Sequence, residues 1–246
     1  MNHHIYGLVG NSLAHSFSKS YFTNKFKQLN LNAHYKNFEI DTVEEIKSIF
    51  KTPHLKGLNV TIPFKQSVIP FIDEIDDVAN EVGAVNTIQI IDGKTKGFNT
   101  DVFGFKQMIK PFFKSHHHRA IILGTGGASK AVAYVLEELG CDPIFISRCP
   151  KGENQFKYED VNQIMMNACP IIVNTTPIGT FPNVNDMPNI PVEYLTPKNL
   201  VIDLIYNPSE TLLLKKAKQK GAWTLNGLTM LHQQAEKAWK IWNNTP

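Results

Sequence analysis

The sequence has little that would commit it to a membrane, a disulfide scaffold or a nucleic acid. Its three cysteines, Cys141, Cys149 and Cys169, are odd in number, widely spread and outside CxxC spacing. They argue against a disulfide framework or a zinc site and for a reducing, cytoplasmic compartment. Apolar stretches such as Ala120–Leu123 and Pro170–Val173 fall far short of the ~20 residues that span a bilayer. The opening Met1-Asn2-His3-His4 has neither a basic nor an apolar signal-peptide region. Net charge is only +3, and no run of Lys and Arg forms a stripe, so no nucleic-acid footprint is expected. There is no repeat at a fixed period. The His116-His117-His118 triplet reads as a solvated lead-in to a strand rather than a metal site.

What is present is a chain of 246 residues, 42% hydrophobic and 19% charged, able to bury a core and long enough for one large domain or two small ones. The first hundred residues alternate between strand and helix patterns. Ile5–Val9, His34–Glu39 and Gly57–Thr61 read as strands, Ser18–Leu29, Val43–Phe50 and Asp73–Val82 as helices. Pro63 suits a first helical turn. Thr87–Ile91 and Lys96–Asn99 flank Asp92-Gly93, a hairpin signal. A second series follows: strands at Arg119–Leu123, Pro143–Ser147, Ile171–Asn174, Leu200–Asp203 and Trp223–Leu225, with helices at Lys130–Leu139, Val161–Met166 and Thr211–Gln219. The alternation predicts an α/β protein with a parallel, doubly wound sheet. Leu228–Trp242 closes the chain as a helix with Leu228, Leu231, Ala235, Ala238 and Trp242 on one side.

Gly124-Thr125-Gly126-Gly127-Ala128-Ser129 lies between a predicted strand and a predicted helix. In that context Gly124 permits a tight turn, Gly126 lets backbone approach a pyrophosphate, and helix-start amides face the phosphates. The next strand ends in Ser147-Arg148-Cys149-Pro150-Lys151, with no carboxylate before Glu153. A guanidinium there suits the 2′-phosphate of NADP, where an acidic residue would suit the free ribose of NAD.

The first half carries three polar segments. In isolation Ser16 and Ser18 read as helix caps, Lys65 as a solvated lysine, and Asn86, Asn99 and Asp101 as turn residues. Together the segments His15-Ser16-Phe17-Ser18, Asn59–Lys65 (NVTxPxK), Gly83–Thr87 (GAVNT), Gly97–Asp101 (GxNTD), Gly124–Ser129, Asn174–Gly179, Asp203–Leu213 and Asn226–Leu231 followed by Gln234 resemble the shikimate dehydrogenase family. The resemblance covers nearly the whole chain. Lys19 stands where the family carries proline. Cys149 stands where it carries threonine, and Gly152 where it often has a second arginine.

The resemblance implies two α/β domains. A substrate-binding and catalytic domain would comprise residues 1–101 and 228–246, and a Rossmann-like NADP-binding domain residues 102–227. It implies Lys65 and Asp101 as the catalytic pair. Ser16 and Ser18 would bind the substrate carboxylate, and Thr61, Asn86 and Gln234 the ring hydroxyls, with Tyr206 near the carboxylate end. Gly124, Gly126, Gly127, Ala128, Ser147, Arg148, Thr175, Leu204 and Gly227 would contact NADP. The implied reaction is reduction of 3-dehydroshikimate to shikimate by a monomer or homodimer, with no metal. Two other readings stand beside it: an enzyme that also oxidises quinate, with NAD, and a dinucleotide-binding redox sensor without turnover.

Overall fold

The computed structural model describes residues 3–13 and 16–244. Ala14 and His15, part of the serine segment, lie outside the described residues. The chain forms two compact units, Met1–Thr100 with Gln234–Pro246, and Asp101–Gln233.

In the first unit the strands β1 (His4–Gly10), β2 (Ala33–Glu39), β3 (Leu55–Val60), β4 (Glu74–Ile75), β5 (Thr87–Ile91) and β6 (Lys94–Phe98) build one sheet in the order β2-β1-β3-β5-β6-β4. Helices α1 (Phe17–Gln28), α2 (Ile46–Ile49) and α3 (Asp77–Val82) connect them. β1 is parallel to β2 and β3, but β5 runs antiparallel to both β3 and β6. This sheet is therefore mixed, with the hairpin expected around Asp92-Gly93 as its antiparallel part. Asp92 and Gly93 both take positive φ, 50° and 79°, and form the two-residue turn that reverses the chain. β1 is buried on both faces. Ile5 and Val9 join a core with Leu58, Val60 and Ile88, while Tyr6 and Leu8 meet Phe22, Phe26, Tyr35 and Trp242 on the other side. The Trp242 indole donates to the Ile88 carbonyl at 3.0 Å, and a methyl group at Gly57 would overlap its ring. Gly57 thus lets the last turn of the chain lie directly on the sheet.

Other expectations for this unit change in detail. The helix expected over Asp73–Val82 begins only at Asp77. Thr95 donates its amide and hydroxyl to the Asp73 carboxylate at 2.7 and 2.8 Å, which draws the residues that follow Asp73 into strand β4. Pro63 opens no α-helix: it follows a cis peptide bond within a series of turns. A helix absent from the sequence expectations, α4 (Thr100–Ile109), starts at the last residue of the Met1–Thr100 segment and lies otherwise in the second unit; it buries Val102, Phe105, Met108 and Ile109, a helical spacing.

The second unit has β7 (Arg119–Leu123), β8 (Asp142–Ile146), β9 (Gln155–Phe156), β10 (Ile171–Asn174), β11 (Leu200–Asp203) and β12 (Trp223–Asn226), with α5 (Gly127–Glu138), α6 (Gln163–Ala168), α7 (Leu212–Gln219) and the start, up to Gln233, of α8 (Leu228–Trp242). All its strands are parallel, in the order β12-β11-β10-β7-β8-β9. Renumbered from β7 this is 3-2-1-4-5-6 read from the other edge, the doubly wound order with its switch point between β7 and β10. The chain passes between the units inside α4 and inside α8. On α8, Ala235, Ala238 and Trp242 are buried as expected, but Leu228 is 40% exposed.

All three cysteines are free. Burial pushes the Cys141 thiol up to about 12 and that of Cys169 to about 11, so both stay protonated and inert. Among the described residues no helix is long and apolar enough to cross a membrane, and no group of three or more His, Cys, Asp or Glu side chains could hold a metal ion.

One buried carboxyl ties the strand ends of the second sheet. Asp203, fully buried, accepts from Asn174 Nδ2 at 3.0 Å, the Ile205 amide at 3.1 Å and the Thr211 hydroxyl at 2.7 Å. Burial pushes its pKa up to about 6, and these three bonds pull the other way. A carboxyl whose folded pKa lies above its unfolded value of about 3.9 favours the folded state most when protonated, and that contribution is lost as pH rises through the folded value. Relative to an Asp203→Asn variant, which does not titrate there, the wild-type unfolding free energy should fall by about 2–3 kcal/mol between about pH 4 and pH 6 and then level off. Urea unfolding of both chains across this range measures it; parallel profiles would mean that Asp203 ionises like an exposed carboxyl.

Candidate active site

In the first unit the polar side chains of six separate segments form one directed chain of hydrogen bonds. The Ser18 hydroxyl donates to the Tyr35 phenol. Tyr35 donates to Asn59 Oδ1 at 2.7 Å, and Asn59 Nδ2 to Thr87 Oγ1 at 3.2 Å. Thr87 donates to Asn86 Oδ1 at 3.2 Å, Asn86 Nδ2 to Thr100 Oγ1 at 3.1 Å, and Thr100 to Gln234 Oε1 at 3.3 Å. Every member is buried. Burial holds the Tyr35 phenol well above its ordinary pKa, so it remains a donor.

Asn86, only 2% exposed, also accepts the Thr100 amide at 2.7 Å and so caps the start of α4. That cap fixes the first turn of the helix, which carries Asp101 at 5% exposure. Asn99 donates to the Ala84 carbonyl at 2.9 Å, tying the GxNTD segment to the GAVNT segment. Lys65 is half-buried in the turns after β3, and its carbonyl accepts the Val85 amide at 2.7 Å. Thr61, half-buried at the end of β3, donates its amide to the Val9 carbonyl, and its own carbonyl accepts the Phe64 amide, both at 2.9 Å.

Ser16 is the N-cap of α1 and accepts the Lys19 amide at 3.2 Å. It lines a cavity of about 380 Å³ with Leu13, Lys19, Ser20, Asn37 and Glu39. Two hydroxyls and an ammonium there suit an anion, while Glu39 is held by the Leu13 amide at 2.7 Å. Lys19, where the related family carries proline, thus forms part of this wall.

Sequence reasoning did not single out Tyr35, Thr87 or Thr100 as members of the network. For Tyr35 a signal existed. The period of two along β2 sets Tyr35, Asn37 and Glu39 on one face, and two of the three are uncharged polar or phenolic groups at positions that a core strand would fill with aliphatics.

In the second unit every expected cofactor residue lies past the C-terminal end of a strand. Gly124 (φ +105°) follows β7, and a side chain there would press on Thr175 Oγ1. Thr175, following β10, donates its amide and hydroxyl to the Leu123 carbonyl at 3.0 and 2.7 Å, which seams the switch point. Gly126 is the extended N-cap of α5, with no side chain capping the helix and open space where its Cβ would be. α5 begins at Gly127, three residues earlier than expected, so Gly127 and Ala128 lie in its first turn. Its first amides are therefore available to an anion. Ser129 is buried and bonds back to the Gly126 carbonyl at 2.6 Å.

Beyond β8, Ser147 accepts the Cys149 amide at 3.2 Å, leaving Arg148 exposed at the same end of the sheet. Leu204 donates its amide to the Asn174 carbonyl at 3.0 Å, and a methyl group at Gly227 would overlap the Leu204 carbonyl. Tyr206, half-buried in the loop after β11, has its phenol raised by burial. Asn174 binds Asp203 through its nitrogen and Thr176 through its oxygen, at 3.0 Å to the amide and 2.7 Å to the hydroxyl. Asn174 and Asp203 therefore hold two crevice loops in register. They lay inside quoted motifs, but their pairing needed the strand order.

Residues 8–88 match the family model described as the shikimate dehydrogenase substrate binding domain. The chain is 39% identical over 260 residues to Shikimate dehydrogenase (NADP(+)) of Halothermothrix orenii, covering 97% of this chain and 90% of that one. The crystal structure of shikimate dehydrogenase from Aquifex aeolicus superposes with a TM-score of 0.87 at 36% identity, over 99% of this chain and 94% of that one. Shikimate 5-dehydrogenase of Thermus thermophilus, solved in complex with NADP(H) and shikimate, gives 0.84 at 28% identity over 98% and 94%.

The buried network makes a direct prediction. A Tyr35→Phe substitution leaves Asn59 Oδ1 without its donor and the Ser18 hydroxyl without its acceptor. Unpaired buried polar groups cost roughly 1–3 kcal/mol, so urea unfolding should show a loss of that size. A loss below about 0.5 kcal/mol, the range of an ordinary surface change, would show that the phenol is dispensable.

Proposed function

This chain belongs to the shikimate dehydrogenase family, and from that premise we propose that it catalyses the reversible, NADPH-dependent reduction of 3-dehydroshikimate to shikimate. The observation that carries the reading is that each family segment falls either in the buried network of the first unit or at the C-terminal ends of the second sheet. Residues 1–101 and 228–246 serve substrate binding and catalysis, and residues 102–227 bind NADP.

NADP fits the crevice because an uncapped helix start and an unobstructed glycine meet its pyrophosphate. When bound, the cofactor supplies the hydride. Gly124, Gly126, Gly127 and Ala128 line the phosphates, Ser147 and Arg148 take the 2′-phosphate, and Thr175, Leu204 and Gly227 line the remainder. Ser16 and Ser18 anchor the substrate carboxylate, with Tyr206 near that end. Thr61, Asn86 and Gln234 orient the ring hydroxyls. The Lys65 ammonium donates a hydrogen bond to the ketone oxygen as it gains charge and delivers the proton there. Asp101 accepts a hydrogen bond from a neighbouring hydroxyl. The three free thiols support a cytoplasmic setting.

Oxidation of shikimate with NADP+, followed at the nicotinamide absorbance, tests the reading. Tight NADP+ binding without turnover would replace it with a sensor, and faster turnover of quinate with NAD+ would replace the substrate and cofactor. Lys65→Ala should lower kcat by about 10²–10⁴ with little change in KM; near-normal kcat would remove Lys65 from the chemistry. Arg148→Ala should weaken NADP+ by about one to two decades and leave NAD+ nearly unchanged, because a charge-assisted contact to the 2′-phosphate is lost. Equal weakening of both would show that Arg148 does not read that phosphate.

A further inference from the structure

The second unit carries a second hollow at the opposite end of its sheet from the cofactor crevice. It opens at the N-terminal ends of β11 and β12, beside the segment leading into β7, and has a volume of about 210 Å³. Its floor and walls are apolar: Phe112, Trp223, Leu200 and Pro197 among them. Trp223 begins the edge strand β12 and is 55% exposed, a large apolar surface for a side chain on a sheet edge. Phe112 stands 6.3 Å away with its ring tilted by 56°.

The rim is basic. Lys114 Nζ lies 5.2 Å from the centre of the Trp223 ring, held there by cation–π attraction. Lys198 and His116 complete the rim, and no carboxylate lines the hollow.

Both walls are fixed before any ligand arrives. The Lys114 amide donates to His117 Nδ1 at 3.1 Å, and the His117 amide returns to the Lys114 carbonyl at 2.9 Å. Across the opening, Asn199 Oδ1 accepts both the Thr196 amide at 2.8 Å and the Thr196 hydroxyl at 2.9 Å. His116 Nε2 lies 3.3 Å from the Lys198 carbonyl and joins the two walls.

From this geometry we infer a binding site for a small aromatic carboxylate, its ring against Trp223 and Phe112 and its carboxylate on Lys114 and Lys198. The hollow is below the roughly 300–1,000 Å³ of drug-sized pockets, so it takes one or two rings. Aromatic side chains offer a ring both area and favourable edge or offset contacts. A basic rim without a carboxylate selects an anion. The same rim disfavours a second copy docked by two-fold symmetry, which would bring the lysines against each other. The strands between the two sites are four or five residues long, about 13–17 Å at 3.3 Å per residue, so both can be filled together.

Indole-3-acetate is a suitable probe, with neutral indole-3-acetamide as its control. The chain has three tryptophans, so the ¹⁵N-labelled full-length protein gives three indole N–H signals, and the Trp223→Phe spectrum identifies one. Indole-3-acetate should shift the Trp223 signal saturably, and NADP+ should leave that titration unchanged. Lys114→Ala, read at the Trp223 indole signal, and Trp223→Ala, read like Trp223→Phe at the Lys198 backbone amide on the rim, should each weaken binding by at least about tenfold, as hot-spot truncations do. The acetamide should also bind about tenfold or more weakly. Trp223→Phe, which keeps a ring, should retain measurable affinity and serves if Trp223→Ala fails to fold. The inference is overturned if the Trp223 signal does not move, if NADP+ competes, if the acetamide binds equally well, or if Lys114→Ala binds normally. It is also overturned if the hollow proves to be a contact between copies, shown by a dimer in sedimentation that Trp223→Phe or Lys114→Ala dissociates.

Discussion

A buried polar group must find a partner, and in the first unit that requirement organises most of the candidate site. Ser18, Tyr35, Asn59, Thr87, Asn86, Thr100 and Gln234 come from places spread over more than two hundred residues of sequence, yet each donates to the next. Such a chain tolerates no slip of strand register. A shift of one residue in β3 or β5 would turn Asn59 or Thr87 to the other face and strand its neighbours without water. The same network caps α4 through Asn86 and so fixes its first turn, which carries Asp101. A polar core of this kind specifies one arrangement rather than several.

The second unit meets a different constraint. An anion has to approach bare backbone, so side chains must be absent at a few points and amides must be left uncapped. Gly124, Gly126 and Gly227 serve three separate needs: a left-handed turn, open space before a helix, and passage past the Leu204 carbonyl. Loops with so few side chains have little packing of their own. Asn174 and Asp203 supply the missing rigidity, because their hydrogen bond joins the ends of two neighbouring strands and each holds its own loop. The elevated pKa of Asp203 is the electrostatic consequence of placing that tie in the dry interior.

Much of this was legible as pattern. The parallel series from Arg119 onward showed in short aliphatic runs separated by glycine and polar turns, and Asp92-Gly93 marked the hairpin. Three elements differ from the expectation. Helix α4 followed directly on a strand with Thr100 as its only punctuation, so the chain looked like loop although Val102, Phe105 and Ile109 carried a helical spacing. Asp73 read as the first residue of a helix, but Thr95, twenty-two positions away, claimed its carboxylate, and a short strand follows. Pro63 fitted a helix start by its φ alone, while the turns after β3 are set by the Val9 and Val85 backbone contacts. In the last two cases a partner distant in sequence outweighed the local preference.

The sequence by itself determined which chemistry the chain carries. Residue type fixes what can donate, accept, ionise or leave backbone bare, and the segments that hold Ser16, Lys65, Asn86, Asp101, the glycine turn and Arg148 resemble, in that order, those of one dehydrogenase family. Only the tertiary structure decided which of those groups remain available. It spent the Asn86 oxygen on a helix cap, brought Tyr35 into the serine segment, paired Asn174 with Asp203, and gathered Phe112, Lys114, Lys198 and Trp223 around one hollow. The reason is physical: a hydrogen bond or a wall of a cavity is a relation between two residues across space, and residue types and spacings along a chain do not fix which distant residue will come within three ångströms.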